Sequence, residues 1–347
     1  MQDLQILCLT QIKNFVSKKP HESETEAFGR WSKVNGEVRS VIKTNMGKIL
    51  VSGDVVAKQA ALVVSAIAVL ELPRNEFHEV ITVLCQNSSP TNNPSVRILC
   101  LFTLGCILSC VDVTLLDMSE CDSVFSVISG CLKASEQADV RVSAMDCLCS
   151  GLRFLKTVFL DRSQCNGLMG LVLECWCVMD NLKLRNSSSE TLGEVVHNFY
   201  FALKRFGEGI CKVTIGVIGN HADVVKKNPS QEEILTNGTV CVINVWEEIL
   251  EFEIKCSEEA RKASENGYSL NSRFTSHNIS GTGVCNHFVE ALFQCFFCVS
   301  DEIEEDELDV FWSREQLFVT PFGASQGQHR QDYRTSHPSE HCCHGWC

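Results

Sequence analysis

Residues 75–117 read NEFHEVITVLCQNSSPTNNPSVRILCLFTLGCILSCVDVTLLD. Phe77, Val80, Ile81 and Leu84 fall on one helical face, and Asn75 ahead of them is a residue type that caps helix N-termini. The polar run 87–93 interrupts that face. Pro94 then suits the first turn of a new helix, where a missing N–H costs little. The stretch predicts two antiparallel helices joined by a polar turn, with a short linker at 111–117. It holds no candidate catalytic group, so its recurrence along the chain points to a surface for partners rather than an active site.

The same pattern extends in both directions. Residues 1–19 predict a short amphipathic helix and 20–29 a polar loop. Trp31, Val34, Val38, Val41, Ile42, Met46 and Ile49 recur at spacings of three and four, which predicts one helix over 30–50. A turn at 52–54 leads into a small-residue helix over 55–70. Further pairs are predicted over 121–134 with 139–159, 166–180 with 183–206, and 208–220 with 231–263. Residues 265–282 read as loop and 283–300 as another apolar helix.

The second helices share a register. Val96–Arg97, Val140–Arg141 and Leu184–Arg185 are each an apolar residue followed by a basic one, and the basic positions are 44 apart; Lys58 precedes Arg97 by 39. A two-helix unit with a period near 40–47 is the signature of HEAT-type repeats. Such a pair cannot bury its apolar face alone, so neighbours stack. The expected fold is all-α: a right-handed superhelical solenoid of about six helix pairs over residues 1–312, with an irregular tail over 313–347. Lys58, Arg97, Arg141 and Arg185 are expected to bond to turns of neighbouring repeats as a structural ladder.

Composition narrows the function. The chain has 347 residues, 45% of them hydrophobic, and a net charge of −13. That charge argues against nucleic-acid binding and suits basic partners. Most of the 21 cysteines sit inside apolar helical runs, as Cys100, Cys106 and Cys110 do, and behave there as small hydrophobes. With no charged and apolar leader pattern at the N-terminus, a reduced cytosolic or nuclear setting is expected. The run 98–111 is about 14 residues, short of the roughly 20 that a bilayer needs, so no membrane span is expected. There is no phosphate-cradling G-x-x-x-x-G-K-[ST] and no H-E-x-x-H, and neither enzymatic activity nor a cofactor is expected. His337, His341, Cys342, Cys343, His344 and Cys347 lack a second spaced pair and read as tail composition rather than a metal site.

Several segments resemble the N-terminal part of the importin-β family. They are QIKN (11–14), RW (30–31), LELPRNEFHEVITVLCQN (70–87), VDVTLLD (111–117), LRFLKTVF (152–159), WEEILEFEIKCSEEARKASENG (246–267) and DEIEEDELDVFW (301–312). Their order and spacing cover roughly residues 5–312 and match the family's own order. The resemblance implies a nuclear transport receptor of the cytoplasm, nucleus and nuclear pore. Its partners would be the Ran GTPase in its GTP form, Phe-Gly repeats of nucleoporins, and an importin-α-type adaptor or basic cargo. It also implies a partner-binding role for the acidic run Asp301, Glu302, Glu304, Glu305, Asp306, Glu307 and Asp309 with Trp312. A Phe-Gly groove between first helices would use Leu168, Met169, Val172, Ile210, Val213 and Ile215; a family Phe falls here on Cys211. The family begins about one repeat before QIKN and continues well past Trp312, so a truncated or divergent version is expected. The alternative from the repeat alone is a helical scaffold or regulatory protein without Ran dependence.

Overall fold

A computed structural model of the protein describes residues 2–266, apart from 179 and 228–231. The described residues contain helices and no strand. In chain order these are α1 (Gln2–Val16), α2 (Glu24–Ser32), α3 (Gly36–Ser52), α4 (Ala57–Glu71), α5 (Glu79–Asn87), α6 (Pro94–Cys110), α7 (Met118–Cys131), α8 (Ala138–Gly151), α9 (Lys156–Leu160), α10 (Arg162–Trp176), α11 (Leu182–Leu203), α12 (Gly207–Lys227) and α13 (Glu232–Asn266). Short 3-10 turns occupy Leu72–Arg74, Val113–Leu115 and Leu152–Leu155.

The helices form two layers. α4, α6, α8, α11 and α13 pack side by side, each on the next, and α1 packs on α4. α3, α5, α7, α10 and α12 each cover their own second-layer partner. The result is an all-α HEAT-repeat solenoid. One hydrophobic core runs from Leu9 to Ile249 without a break, with Trp31, Trp176, Trp246 and Phe159 among its largest fully buried side chains. Burial of the second-layer helices on most sides explains the near-continuous apolar run in α6. Among the described residues no helix is long and apolar enough to cross a membrane.

The second-layer spacing is set by small residues. A Cβ on Gly105 of α6 would lie 3.4 Å from the Cys147 backbone in α8. A Cβ on Gly151 would lie 2.8 Å from Leu108 Cδ1, so any larger residue there would have to push that leucine side chain aside. The single helix expected over 139–159 is corrected to α8, a 3-10 turn and α9. After Gly151 the chain tightens into the 3-10 turn, and Arg153 donates to the carbonyls of Leu108 (2.9 Å) and Ser109 (2.7 Å). It thus satisfies orphan acceptors at the C-terminus of α6.

Other expectations are corrected at helix starts. The loop expected over 20–29 contains the start of α2, because Ser23 and Glu26 form a reciprocal capping box. The helix expected over 30–50 is two helices, with Asn35 capping α3. Trp31 and Met46 are buried, whereas Val38 and Val41 face solvent. Asn75 is not an N-cap. It sits in the left-handed region (φ 62°), closes the Leu72–Arg74 turn, and its Oδ1 pairs with His78 Nε2 at 2.7 Å. Phe77 also has positive φ (61°), and α5 starts only at Glu79. The predicted helix over 283–300, the loop before it and the tail lie outside the described residues.

Candidate partner-binding surfaces

The basic residues of the repeat register come first. Arg97 is almost fully buried, and its Nε donates to the Ser88 carbonyl at the end of α5 (3.1 Å). Its Nη1 reaches Glu136 (2.7 Å) and its Nη2 reaches Cys131 Sγ (3.4 Å), both belonging to the next repeat. Cys131 Sγ in turn approaches the same Ser88 carbonyl at 3.5 Å. One repeat on, Arg141 donates to the Leu132 carbonyl (3.2 Å) and Cys175 Sγ (3.3 Å), and Cys175 Sγ lies 3.6 Å from that carbonyl. Arg185 donates to Val178 O at 3.0 Å. Glu136 beside Arg97 holds its guanidinium above the usual range, while burial pulls Arg185 below it. Lys58 does not share this arrangement: it is exposed, with its ammonium 5.7 Å from the centre of the Phe102 ring.

The six residues expected to wall a Phe-Gly groove do not form one surface. Leu168, Met169, Val172 and Ile210 are fully buried core side chains, and Cys211 is buried with them. Only Val213 and Ile215 are half-buried at the edge of the core. The reason is amphipathic: the apolar stripe of a first-layer helix turns toward its own second-layer partner. Residues flanking the stripe line the crevice between α10 and α12. There Leu173 is half-buried, and its Cδ1 lies 3.5 Å from where a Cβ on Gly209 would stand.

A second surface appears on the free face of the second-layer helices. Glu190 and Glu194 stand one turn apart on α11, both exposed. Asp146 on α8 faces them across Cys149, whose thiol is pushed up to about 11 by burial and then by Glu194, Glu190 and Asp146. On the other side, His197 Nε2 lies 2.8 Å from a Glu248 carboxylate oxygen on α13. Gly193 opens the space beside Glu248, whose Cγ would be 3.7 Å from a Cβ there. Carboxylates from three neighbouring second-layer helices thus meet on one face. They are scattered through 146–248, so no run of acidic residues announced them. The available signal was the four-residue interval of Glu190 and Glu194 within SETLGEVVHN.

The acidic run 301–312 and the Cys/His-rich tail lie outside the described residues. Among the described residues no group of three or more His, Cys, Asp or Glu could hold a metal ion.

No family model and no curated protein matches the sequence. Solved structures do. The chain is similar to yeast importin-β (Kap95p), with 22% identity and a TM-score of 0.67 over 83% of this chain and 32% of that one. It is similar to a Kap95:Nup1 complex at the same identity, TM-score and coverage. It is also similar to Kap95p in a structure where its binding induces the switch loops of RanGDP to adopt the GTP-bound conformation. There the identity is 20% and the TM-score 0.67, over 92% of this chain and 39% of that one. The chain spans about a third of the length of these structures. The described chain is an importin-β-like region of helical repeats.

Proposed function

We propose that this chain is a nuclear transport receptor of the importin-β type, moving between cytoplasm and nucleus through the nuclear pore. The observation that carries this reading is the acidic free face of α8, α11 and α13 on an importin-β-like fold. Basic targeting segments of cargo or an adaptor, and basic patches of GTP-loaded Ran, are complementary to carboxylates gathered from several repeats. A stack whose repeats contact only their neighbours can wrap such a partner through many small contacts. Phe-Gly repeats of nucleoporins fit the crevice between α10 and α12, where Leu173 and Val213 are half-buried. The acidic run 301–312 would extend the same attraction toward the end of the chain. The similar Kap95 structures with Nup1 and with Ran support partners of these kinds.

Titration of a fluorescent Lys/Arg-rich peptide into the protein tests the reading. Binding is expected to weaken with added salt, because exposed charges are screened within about 10 Å at 0.1 M. Replacing Glu190, Glu194 and Glu248 together by lysine is expected to cost at least about tenfold in affinity. A folded wild-type chain with no salt-sensitive peptide binding, or a variant that binds equally well, would overturn it.

A further inference from the structure

A different surface lies where α9 turns into α10 beside the turn from α11 into α12. α11 is kinked at Phe199, whose backbone (φ −141°, ψ 36°) is not helical. The Phe199 ring stacks on Phe159 of α9 with centroids 4.1 Å apart, and Phe201 meets Phe199 edge-on at 6.3 Å. The kink therefore ties the two corners together. It leaves Phe201 at 46% exposure and Leu160, the neighbour of Phe159, at 64%. Both are large apolar side chains exposed to water.

The charge around them has the opposite sign from the chain as a whole. Residues 152–163 and 199–207 contain Arg153, Lys156, Arg162, Lys204 and Arg205 against one carboxylate, Asp161. Asp161 is occupied in capping α10 through the Gln164 N–H at 2.8 Å. Arg153 is spent on the end of α6. Arg205 donates to the amide oxygen of Asn166 at 3.4 Å and lies 6.0 Å from the centre of the Phe206 ring. Lys156, Arg162 and Lys204 are exposed and have no carboxylate partner among the described residues. On a chain with net charge −13, this is a local cationic corner with two apolar anchors in it.

We propose that the corner formed by Lys156, Leu160, Arg162, Phe201, Lys204 and Arg205 is a second docking site, for an acidic peptide segment carrying large apolar side chains. Charge complementarity selects the acidic side chains of the partner and repels the basic ligands proposed for the carboxylate surface. The exposed Phe201 and Leu160 supply the desolvated anchors that carry most of the energy in small interfaces. The site extends the transport reading without depending on it, since its ligand has the opposite charge.

The test uses the full chain and a fluorescein-labelled synthetic peptide in which glutamates flank phenylalanine and leucine, followed by anisotropy. A matched peptide with glutamine for glutamate is the control. The acidic peptide is expected to bind more tightly than its glutamine counterpart and to weaken as salt rises. Lys156→Glu/Arg162→Glu/Lys204→Glu should weaken it at least about tenfold, and Phe201→Ala should weaken both peptides. An equal charge change at exposed Lys18, Lys48 and Lys133 should leave binding intact. Circular dichroism of each variant confirms the fold. Equal binding by the corner variant and the distant one overturns the proposal. So does self-association that the corner variant abolishes without any peptide binding, or capture of the chain by anionic vesicles in place of the peptide.

Discussion

The Arg97 guanidinium touches the Cys131 thiol across the joint between two repeats, and both lean on the same Ser88 carbonyl. The triangle recurs 44 residues on, at Arg141, Cys175 and Leu132. At the next register position the Arg185 guanidinium donates to the Val178 carbonyl at 3.0 Å. The Arg register is thus a device that fixes one repeat on the next, made from a fork that bonds a turn in its own repeat and a side chain in the following one.

Arg97→Ala is expected to destabilise the chain by about 3–5 kcal/mol, since it strands Glu136 and leaves the Ser88 carbonyl only the weak Cys131 thiol donor. Arg97→Lys should recover little, because a single ammonium cannot bond the carbonyl, the thiol and the carboxylate together. The midpoint of urea unfolding followed by circular dichroism measures both. A shift for Arg97→Ala no larger than that of a surface substitution would remove the joint from the account.

Glu71 is a second buried hub. It has no solvent exposure and accepts from Trp31 Nε1 (2.8 Å), Lys43 Nζ (2.8 Å) and Arg39 Nη1 (3.3 Å), holding α2 and α3 on the end of α4. Glu71→Gln keeps the shape and one acceptor but leaves Lys43 without its opposite charge. A loss of roughly 2–4 kcal/mol is expected, read as a lower thermal midpoint. Lys43→Met in the same background should return part of it.

The buried thiols make the fold sensitive to alkali. Burial pushes Cys85 and Cys100 from 9.0 up to about 12, and drives Cys147 well above its ordinary value. The folded chain therefore keeps protons that the unfolded chain gives up. Their contribution is complete below pH 9 and is lost as pH rises from there toward about 12, each ionising thiol adding up to about 1.4 kcal/mol per pH unit to the slope. In reductant, the urea midpoint should hold steady from neutral pH to about 8.5 and then fall. Cys85→Ala should flatten that fall, even though it lowers stability at neutral pH.

Alkylation should follow exposure. Cys8, Cys110 and Cys177 are exposed, whereas Cys100, Cys131, Cys147 and Cys175 are buried. Iodoacetamide labelling of the native chain, read by peptide mass spectrometry, is expected to modify the first three well before the last four. Early labelling of Cys131 or Cys175 would show that the repeat joints open readily.

The repeat was legible because Arg97, Arg141 and Arg185 carry it in a fixed register, each just after an apolar residue at the start of a second helix. Helix starts were less legible. The Ser23–Glu26 capping box, three residues apart in the sequence, decides where α2 begins. Asn75 tolerates the left-handed conformation, but nothing in the residue Phe77 signals one. The partner surfaces were the least legible part. The family resemblance assigned Leu168, Met169 and Val172 to a groove, but they lie on the buried stripe of α10 and are core, whereas Leu173 beside them is only half-buried. The carboxylates of the second-layer face come from three helices, and only stacking brings Asp146, Glu194 and Glu248 together.

Isothermal titration of this chain with Ran loaded with a non-hydrolysable GTP analogue, and separately with GDP, tests the transport reading most directly. The account predicts binding to the GTP form at least about tenfold tighter than to the GDP form, a difference of about 1.4 kcal/mol or more. Equal affinity for the two forms, or no binding by a chain whose circular dichroism shows its full helical signal, would contradict it.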